Sequence, residues 1–320
     1  MTGWSGDESL AASAARLLGP AHPVAAVALV GPHGASTATI GTSTDADFEI
    51  GSLSKPITGM LYRDAVEHGR VAPTTALGEL LPLAGHGPVA DLTLESLATH
   101  RSGLPRLPPR MQPVRRTWAL WRHGANPYGD SLAELLEQVR HIRLGGTRGR
   151  YSNLGFQLLG HAVAAAAGAR YADLLPRTFA LDLWAPSTVA ELRPTSLTGA
   201  TGRGRPRDPW VGEGLAPAGG IRTTIGTMSS LLARTLDGSA PGVSALDATT
   251  SLSPGIRIGS GWLTSTQHGR TITWHNGATG GFRSWMGLDR DASVGVIVLS
   301  ARNRFLDPAG FALLREHTAA

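Results

Sequence analysis

Strand-forming sequence lies at both ends of this 320-residue chain, with helix-forming sequence between them. Residues 24–30 are a continuous apolar run of strand length, and residues 36–41 follow across a Pro32-His33-Gly34 turn. Near the far end, residues 257–264, 271–274, 284–289 and 293–300 read as strands, the last containing Val294-Gly295-Val296-Ile297-Val298-Leu299. Strands need partners for their backbone groups and a cover for their apolar face. The two ends are therefore expected to share one antiparallel sheet. Helical periodicity appears at residues 7–18, where Leu10, Ala14, Leu17 and Leu18 recur and Gly19-Pro20 stops the pattern. It returns at 52–67, 92–99, 131–142, 151–167, 171–179 and 226–236, and in a final helix at about 308–317. The pattern predicts an α+β fold: an antiparallel sheet flanked by N- and C-terminal helices, plus an inserted all-helical lobe. In one domain spanning 1–320, the α/β lobe takes about 7–55 and 240–318 and the helical lobe about 56–239. A cleft between lobe and sheet is the expected ligand site.

Composition narrows the chemistry. An apolar fraction of 42% supports a sizeable core and argues against disorder. There is no cysteine, which excludes disulfides, thiolate nucleophiles and cysteine-ligated metals. The opening residues lack the basic and apolar regions of a secretory signal, and no apolar stretch is long enough to span a bilayer. The expectation is a cytoplasmic protein without a membrane segment. The net charge of +5 reads as an ordinary basic surface. Arg106, Arg110, Arg115, Arg116 and Arg122 run beside Trp118 and Trp121, but Pro105, Pro108, Pro109 and Pro113 interrupt them and no nucleic-acid motif frames them. A loop or lid beside a pocket is the expected role for this stretch.

Of 29 lysine and arginine residues, Lys55 alone is lysine. The chain is rich in Ala, Gly and Pro, as a GC-biased coding sequence would be, and such bias replaces lysine wherever charge alone suffices. Arginine has a pKa above about 12 and cannot serve as a base, whereas a buried lysine can lose its proton. Ser52 and Lys55 stand at i and i+3 where a helix opens, one turn apart on one face. A helix N-terminus favours developing negative charge, and a desolvated amine one turn on can take the hydroxyl proton. Ser52 as nucleophile and Lys55 as its base are thus the first candidates. Gly149-Arg150-Tyr151-Ser152-Asn153 begins another helix; Tyr151 can shuttle protons, and Asn153 can orient Lys55 and bind a substrate carbonyl. Residues 274–283 are expected to end a strand in a glycine-rich turn that lets substrate backbone approach, with His275 bonding substrate or assisting Tyr151.

Rival signals are weaker. Gly129-Asp130-Ser131-Leu132 spells the first motif of another esterase family, but it lies mid-chain and lacks the expected Asp-x-x-His partner; Asp130 or Ser131 as an N-cap explains it. There is no Gly-x-Ser-x-Gly elbow, no His-Glu-x-x-His and no phosphate-binding glycine loop. No metal, nucleotide or other cofactor is implied.

The sequence resembles the serine β-lactamase and penicillin-binding-protein superfamily, in its class C β-lactamase, D-alanyl-D-alanine carboxypeptidase and esterase branch. Ser52-Leu53-Ser54-Lys55 matches S-x-x-K, Tyr151-Ser152-Asn153 matches Y-x-N, and His275-Asn276-Gly277 matches a K/H-x-G triplet. Residues 93–105 and 216–224 resemble further family segments, and the likeness spans about residues 8–315. The resemblance implies a β-lactamase-like fold and an acyl-enzyme on Ser52, with Lys55, Tyr151 and His275 as catalytic partners. It also implies an oxyanion hole of the Ser52 and Ala278 amides, substrate contacts from Asn153, Asn276 and Gly277, and a small ester or amide substrate. His275 stands where class C β-lactamases carry lysine, and this resembles the D-peptidase and esterase members. A true β-lactamase or D-Ala-D-Ala carboxypeptidase is the alternative enzyme; an inactive binding or scaffold protein is the alternative of another class.

Overall fold

The structure is a computed structural model and describes residues 3–107, 126–127 and 129–318. Of the basic stretch, Arg110, Arg115, Arg116 and Arg122, with Trp118 and Trp121, lie outside the described residues. The chain runs β1 (Ser5–Gly6), α1 (Glu8–Leu18), β2 (Ala25–Gly31), β3 (Gly34–Ile40) and β4 (Asp47–Glu49). A 3-10 turn at Gly51–Leu53 leads into α2 (Ser54–Glu67). Helices α3 (Leu77–Leu80), α4 (Leu94–Ala98), α5 (Leu132–Val139), α6 (Asn153–Ala166) and α7 (Tyr171–Phe179) follow. Next come β5 (Ala200–Thr201), α8 (Ala216–Gly219), β6 (Arg222–Thr224) and α9 (Ile225–Leu236). The last part holds β7 (Thr250–Ser253), β8 (Ile256–Ile258), β9 (Leu263–Gln267), β10 (Arg270–Ala278), β11 (Arg283–Asp289), β12 (Val294–Ser300), β13 (Arg302–Asn303) and α10 (Asp307–Thr318).

Both ends of the chain do share one sheet. Nine strands pair antiparallel in the order β1-β3-β2-β12-β11-β10-β9-β8-β7. The join is β2 against β12, where Val27 faces Val298 and Ala28 faces Ile297. Strand alternation divides the core. Val294, Val296 and Val298 face α1 and α10, meeting Leu10, Ala14, Leu313 and Trp285. Ile297 and Leu299 face the other way, into the cluster shared with α2, α6 and α9. Close packing of α10 on the sheet requires Gly310, whose added Cβ would lie 2.3 Å from the Trp285 ring.

Three expectations need correction. The strand expected over 257–264 is two strands, β8 and β9, because Gly259 and Gly261 turn the chain between them; Gly261 has φ +77°. The strand expected to end at 274 runs to Ala278, so His275, Asn276 and Gly277 lie within β10, opposite Met286, Trp285 and Ser284. The helix expected over 52–67 begins as α-helix only at Ser54, after the 3-10 turn, and buries Lys55 and Thr58 as well as Ile57, Met60 and Leu61.

A buried ion cluster fixes the approach to Ser52. Short strand β4 pairs with β6, setting Glu49 opposite Arg222. Arg222 is fully buried and binds Asp47 at 2.5 Å and Glu49 at 3.1 Å. Its guanidinium also donates to the Leu197 carbonyl at 2.9 Å. Burial pushes the Glu49 carboxyl up, while Arg222 pulls it down. The ladder continues one residue on, where the Ile50 amide donates to the Ile221 carbonyl at 3.1 Å. Removing one partner of such a cluster strands a charge out of water. Asp47→Ala is expected to cost about 3 kcal/mol in chemical denaturation; a loss below about 1 kcal/mol, the scale of an exposed pair, would contradict this role.

Candidate active site

The Gly51–Leu53 turn and the first turn of α2 set Ser52 and Lys55 one turn apart. Lys55 Nζ is 2.9 Å from Ser52 Oγ and donates to the Ala218 carbonyl at 2.6 Å. Tyr151, just before α6, donates its phenol to Ser52 Oγ at 2.9 Å. The α6 start is held by Ser152, which accepts from the Gly155 amide and donates to the Pro105 carbonyl. Ser52 Oγ therefore sits between an amine and a phenol, each at proton-transfer distance.

Lys55 is fully buried, and burial, then the positive charge of Arg106, hold its amine well below the usual 10.5. Nζ also lies 5.0 Å from the Tyr151 ring centroid. A neutral amine keeps a lone pair that can accept the Ser52 proton. The expected partner that orients Lys55 was Asn153; the structure instead uses the backbone carbonyl of Ala218. Asn153 is the first residue of α6 and lines the cavity beside Ser52; its buried Oδ1 has no hydrogen-bond partner among the described residues.

His275 is 1% exposed, and its ring lies 6.3 Å from that of Tyr151. Its Nδ1 is 2.6 Å from the Asn276 carbonyl. A carbonyl only accepts, so the proton sits on Nδ1 and Nε2 keeps its lone pair. That Nε2 is buried without a partner among the described residues. Burial above all lowers its pKa to about 3, so the ring is neutral at pH 7. His275 is thus a neutral ring beside Tyr151, whereas Asn276, Gly277 and Ala278 line the cavity itself. Asn276 donates to Asp307 at 2.5 Å, which anchors β10 to α10.

Two glycines let β10 press against the Ser52 turn. A Cβ on Gly277 would lie 2.1 Å from the Ile50 carbonyl oxygen. Gly51 has φ +52°, and a Cβ there would lie 2.7 Å from the Ala278 nitrogen. The Ser52 and Ala278 amides therefore belong to neighbouring segments with no side chain between them. The cavity at this junction measures about 770 Å³. Arg106, Arg207 and Arg283 line it, and no carboxylate does among the described residues. Sequence reasoning did not pick out Arg207, Arg283 or Ala218, since nothing local marks a residue that converges on a site from a distant loop or strand.

The rival esterase motif is a helix start: Ser131 caps α5, and Glu134 returns a hydrogen bond to the Ser131 amide at 2.8 Å. No group of three His, Asp or Glu side chains is placed to hold a metal among the described residues. Among them, too, no helix is long and apolar enough to cross a membrane.

Comparisons with known proteins bear on the family and the fold. The profile of the Beta-lactamase family matches residues 20–319. A D-alanyl-D-alanine-carboxypeptidase/endopeptidase, AmpH of Escherichia coli K12, is 30% identical over 133 residues, 41% of this chain and 33% of that protein. The chain thus matches about a third of the length of that curated relative. Among solved structures, a class C beta lactamase from Rhodobacter sphaeroides superposes with TM-score 0.80 at 21% identity, covering 98% of this chain and 100% of that one. A beta-lactamase/D-alanine carboxypeptidase from Pseudomonas syringae gives TM-score 0.80 at 15% identity, over 96% and 98% of the two chains. The fold is therefore the β-lactamase-like α+β fold, and the chain belongs to the Beta-lactamase family, within the serine β-lactamase and penicillin-binding-protein superfamily of hydrolases.

Proposed function

We propose that this protein is a serine hydrolase or transacylase that forms an acyl-enzyme on Ser52 from a small ester or amide. One observation carries the reading: Ser52 Oγ lies 2.9 Å from both the buried amine of Lys55 and the phenol of Tyr151. Neutral Lys55 takes the hydroxyl proton as Oγ attacks the substrate carbonyl. The tetrahedral oxyanion lies between the Ser52 and Ala278 amides, a type of stabilisation worth about 3–4 kcal/mol per donor. Collapse breaks the bond to the leaving group, and the proton carried by Lys55 passes through Tyr151 to that group. Water or a second nucleophile then gives up its proton by the same route and attacks the acyl-Ser52 ester, which releases the acyl group and restores the hydroxyl. Neutral His275, whose buried Nε2 lone pair has no partner among the described residues, stands beside Tyr151 to assist it or to bond substrate.

A second reading, a β-lactamase or D-Ala-D-Ala carboxypeptidase, rests on Arg106, Arg207 and Arg283 around a cavity without carboxylates among the described residues, a lining suited to an anionic substrate. Intact mass spectrometry separates the readings. A Ser52 adduct with a fluorophosphonate but not with a penicillin supports the esterase reading; adducts with both support the second. No adduct with either would indicate an inactive scaffold.

Ser52→Ala is expected to abolish turnover of p-nitrophenyl esters. Lys55→Arg, which keeps the charge but not the base, should lower kcat by about 10²–10⁴-fold while the variant remains folded by circular dichroism. Wild-type turnover in either variant would reject these roles. Gly51→Ala adds strain at positive φ and drives a methyl into the Ala278 amide. It is expected to lower kcat by about 100-fold, with a smaller change in KM; an unchanged kcat would remove Ala278 from the oxyanion hole.

A further inference from the structure

His100 follows the end of α4, one residue beyond its Thr99 cap, and has φ +57°. Helices commonly place glycine at this left-handed position, because a side chain there costs about 1–2 kcal/mol. This chain keeps a histidine instead, 2% exposed. The unusual backbone turns two acceptors toward one short segment. The His100 carbonyl accepts from the Arg150 amide at 2.9 Å. Its Nδ1 accepts from the Ser152 amide at 3.2 Å. Between those two bonds, the His100 ring packs on the Tyr151 ring with centroids 4.6 Å apart. Phe156 backs the imidazole at 4.9 Å.

We propose that His100 is a positioning residue for Tyr151: it grips the backbone on both sides of residue 151 and packs on its ring, setting the phenol over Ser52. The proposal rests on the proton-transfer role assigned to Tyr151 above. Because Nδ1 accepts an amide proton, the imidazole carries its own proton on Nε2. Burial, first among the causes, holds the ring neutral, so the accepting lone pair stays available at neutral pH. Protonating Nδ1 would break the Ser152 bond and add a cation beside Lys55, His275 and Arg106, the charged or titratable groups grouped around Tyr151.

Glycine and asparagine substitutions separate positioning from mere support of the turn. Glycine suits positive φ but offers neither acceptor nor ring. Asparagine also tolerates that backbone, and its amide oxygen can take the place of Nδ1. The readout is the second-order rate of Ser52 labelling by a fluorophosphonate, followed by intact mass, with thermal melts alongside. His100→Gly is expected to slow labelling by about 100-fold, the scale of a misplaced reacting group, and His100→Asn to recover most of that loss. Wild-type labelling in His100→Gly, or a His100→Asn variant no faster than His100→Gly, overturns the proposal. Tyr151→Phe tells the two levels apart. If Tyr151→Phe is impaired while His100→Gly is not, only the positioning role fails; if Tyr151→Phe labels at the wild-type rate, the reading of Tyr151 fails and the proposal with it.

Discussion

Keeping the amine of Lys55 out of water is the constraint on which the arrangement of the site depends. An exposed lysine beside Ser52 would hold its proton at neutral pH and offer no lone pair. A buried one can hold its place without charge only if its remaining polar needs are met. The Ala218 carbonyl and Ser52 Oγ meet them. The other groups close by are either neutral or turned to different work. His100 and His275 are held in their neutral forms by burial. Arg106, the nearest cation among the causes acting on Lys55, pushes its pKa down further.

That burial is achieved by joining segments that are far apart in the chain. The Ser52 turn is tied to β6 through the Ile50 ladder bond and the Arg222 cluster. It is pressed against β10 through Gly51 and Gly277. The helical part contributes Tyr151 from the start of α6, and the α8 turn contributes the Ala218 carbonyl. Each contributor is a helix end, a turn or a strand edge, where backbone groups are free to point into a site. Behind them, most of the sheet and the nearly fully buried body of α6 serve as support.

The candidate side chains that the structure groups, Ser52, Lys55 and Tyr151, stand out in the sequence because their spacing is local. Ser52 and Lys55 show one helical turn, and Tyr151 and Asn153 mark a helix start. The joined sheet was legible because 24–30 and 293–300 are apolar enough to demand partners. What could not be read depends on tertiary contact. β10 continues through Asn276, Gly277 and Ala278, residues of weak strand preference, because pairing with β11 overrides local propensity. The split between β8 and β9 turns on Gly259 and Gly261, and the left-handed backbone of Gly261 exists only once the two strands pair back to back. The partner of Lys55 is a backbone carbonyl, which leaves no side-chain signature at position 218. His100 was visible only as a residue in a family-like segment; its left-handed backbone and its grip on residues 150–152 exist only once α4 and α6 are in place.

The central claim is that Lys55 is a neutral base in the folded protein, and the sequence makes it open to direct measurement. Because Lys55 is the only lysine, protein grown with lysine labelled with ¹³C at Cε gives a single lysine resonance in the folded state. Its chemical shift followed against pH reports the ionisation of this one amine. The account predicts a midpoint well below the ordinary 10.5. A midpoint at or above 10.5 in the folded protein would contradict it.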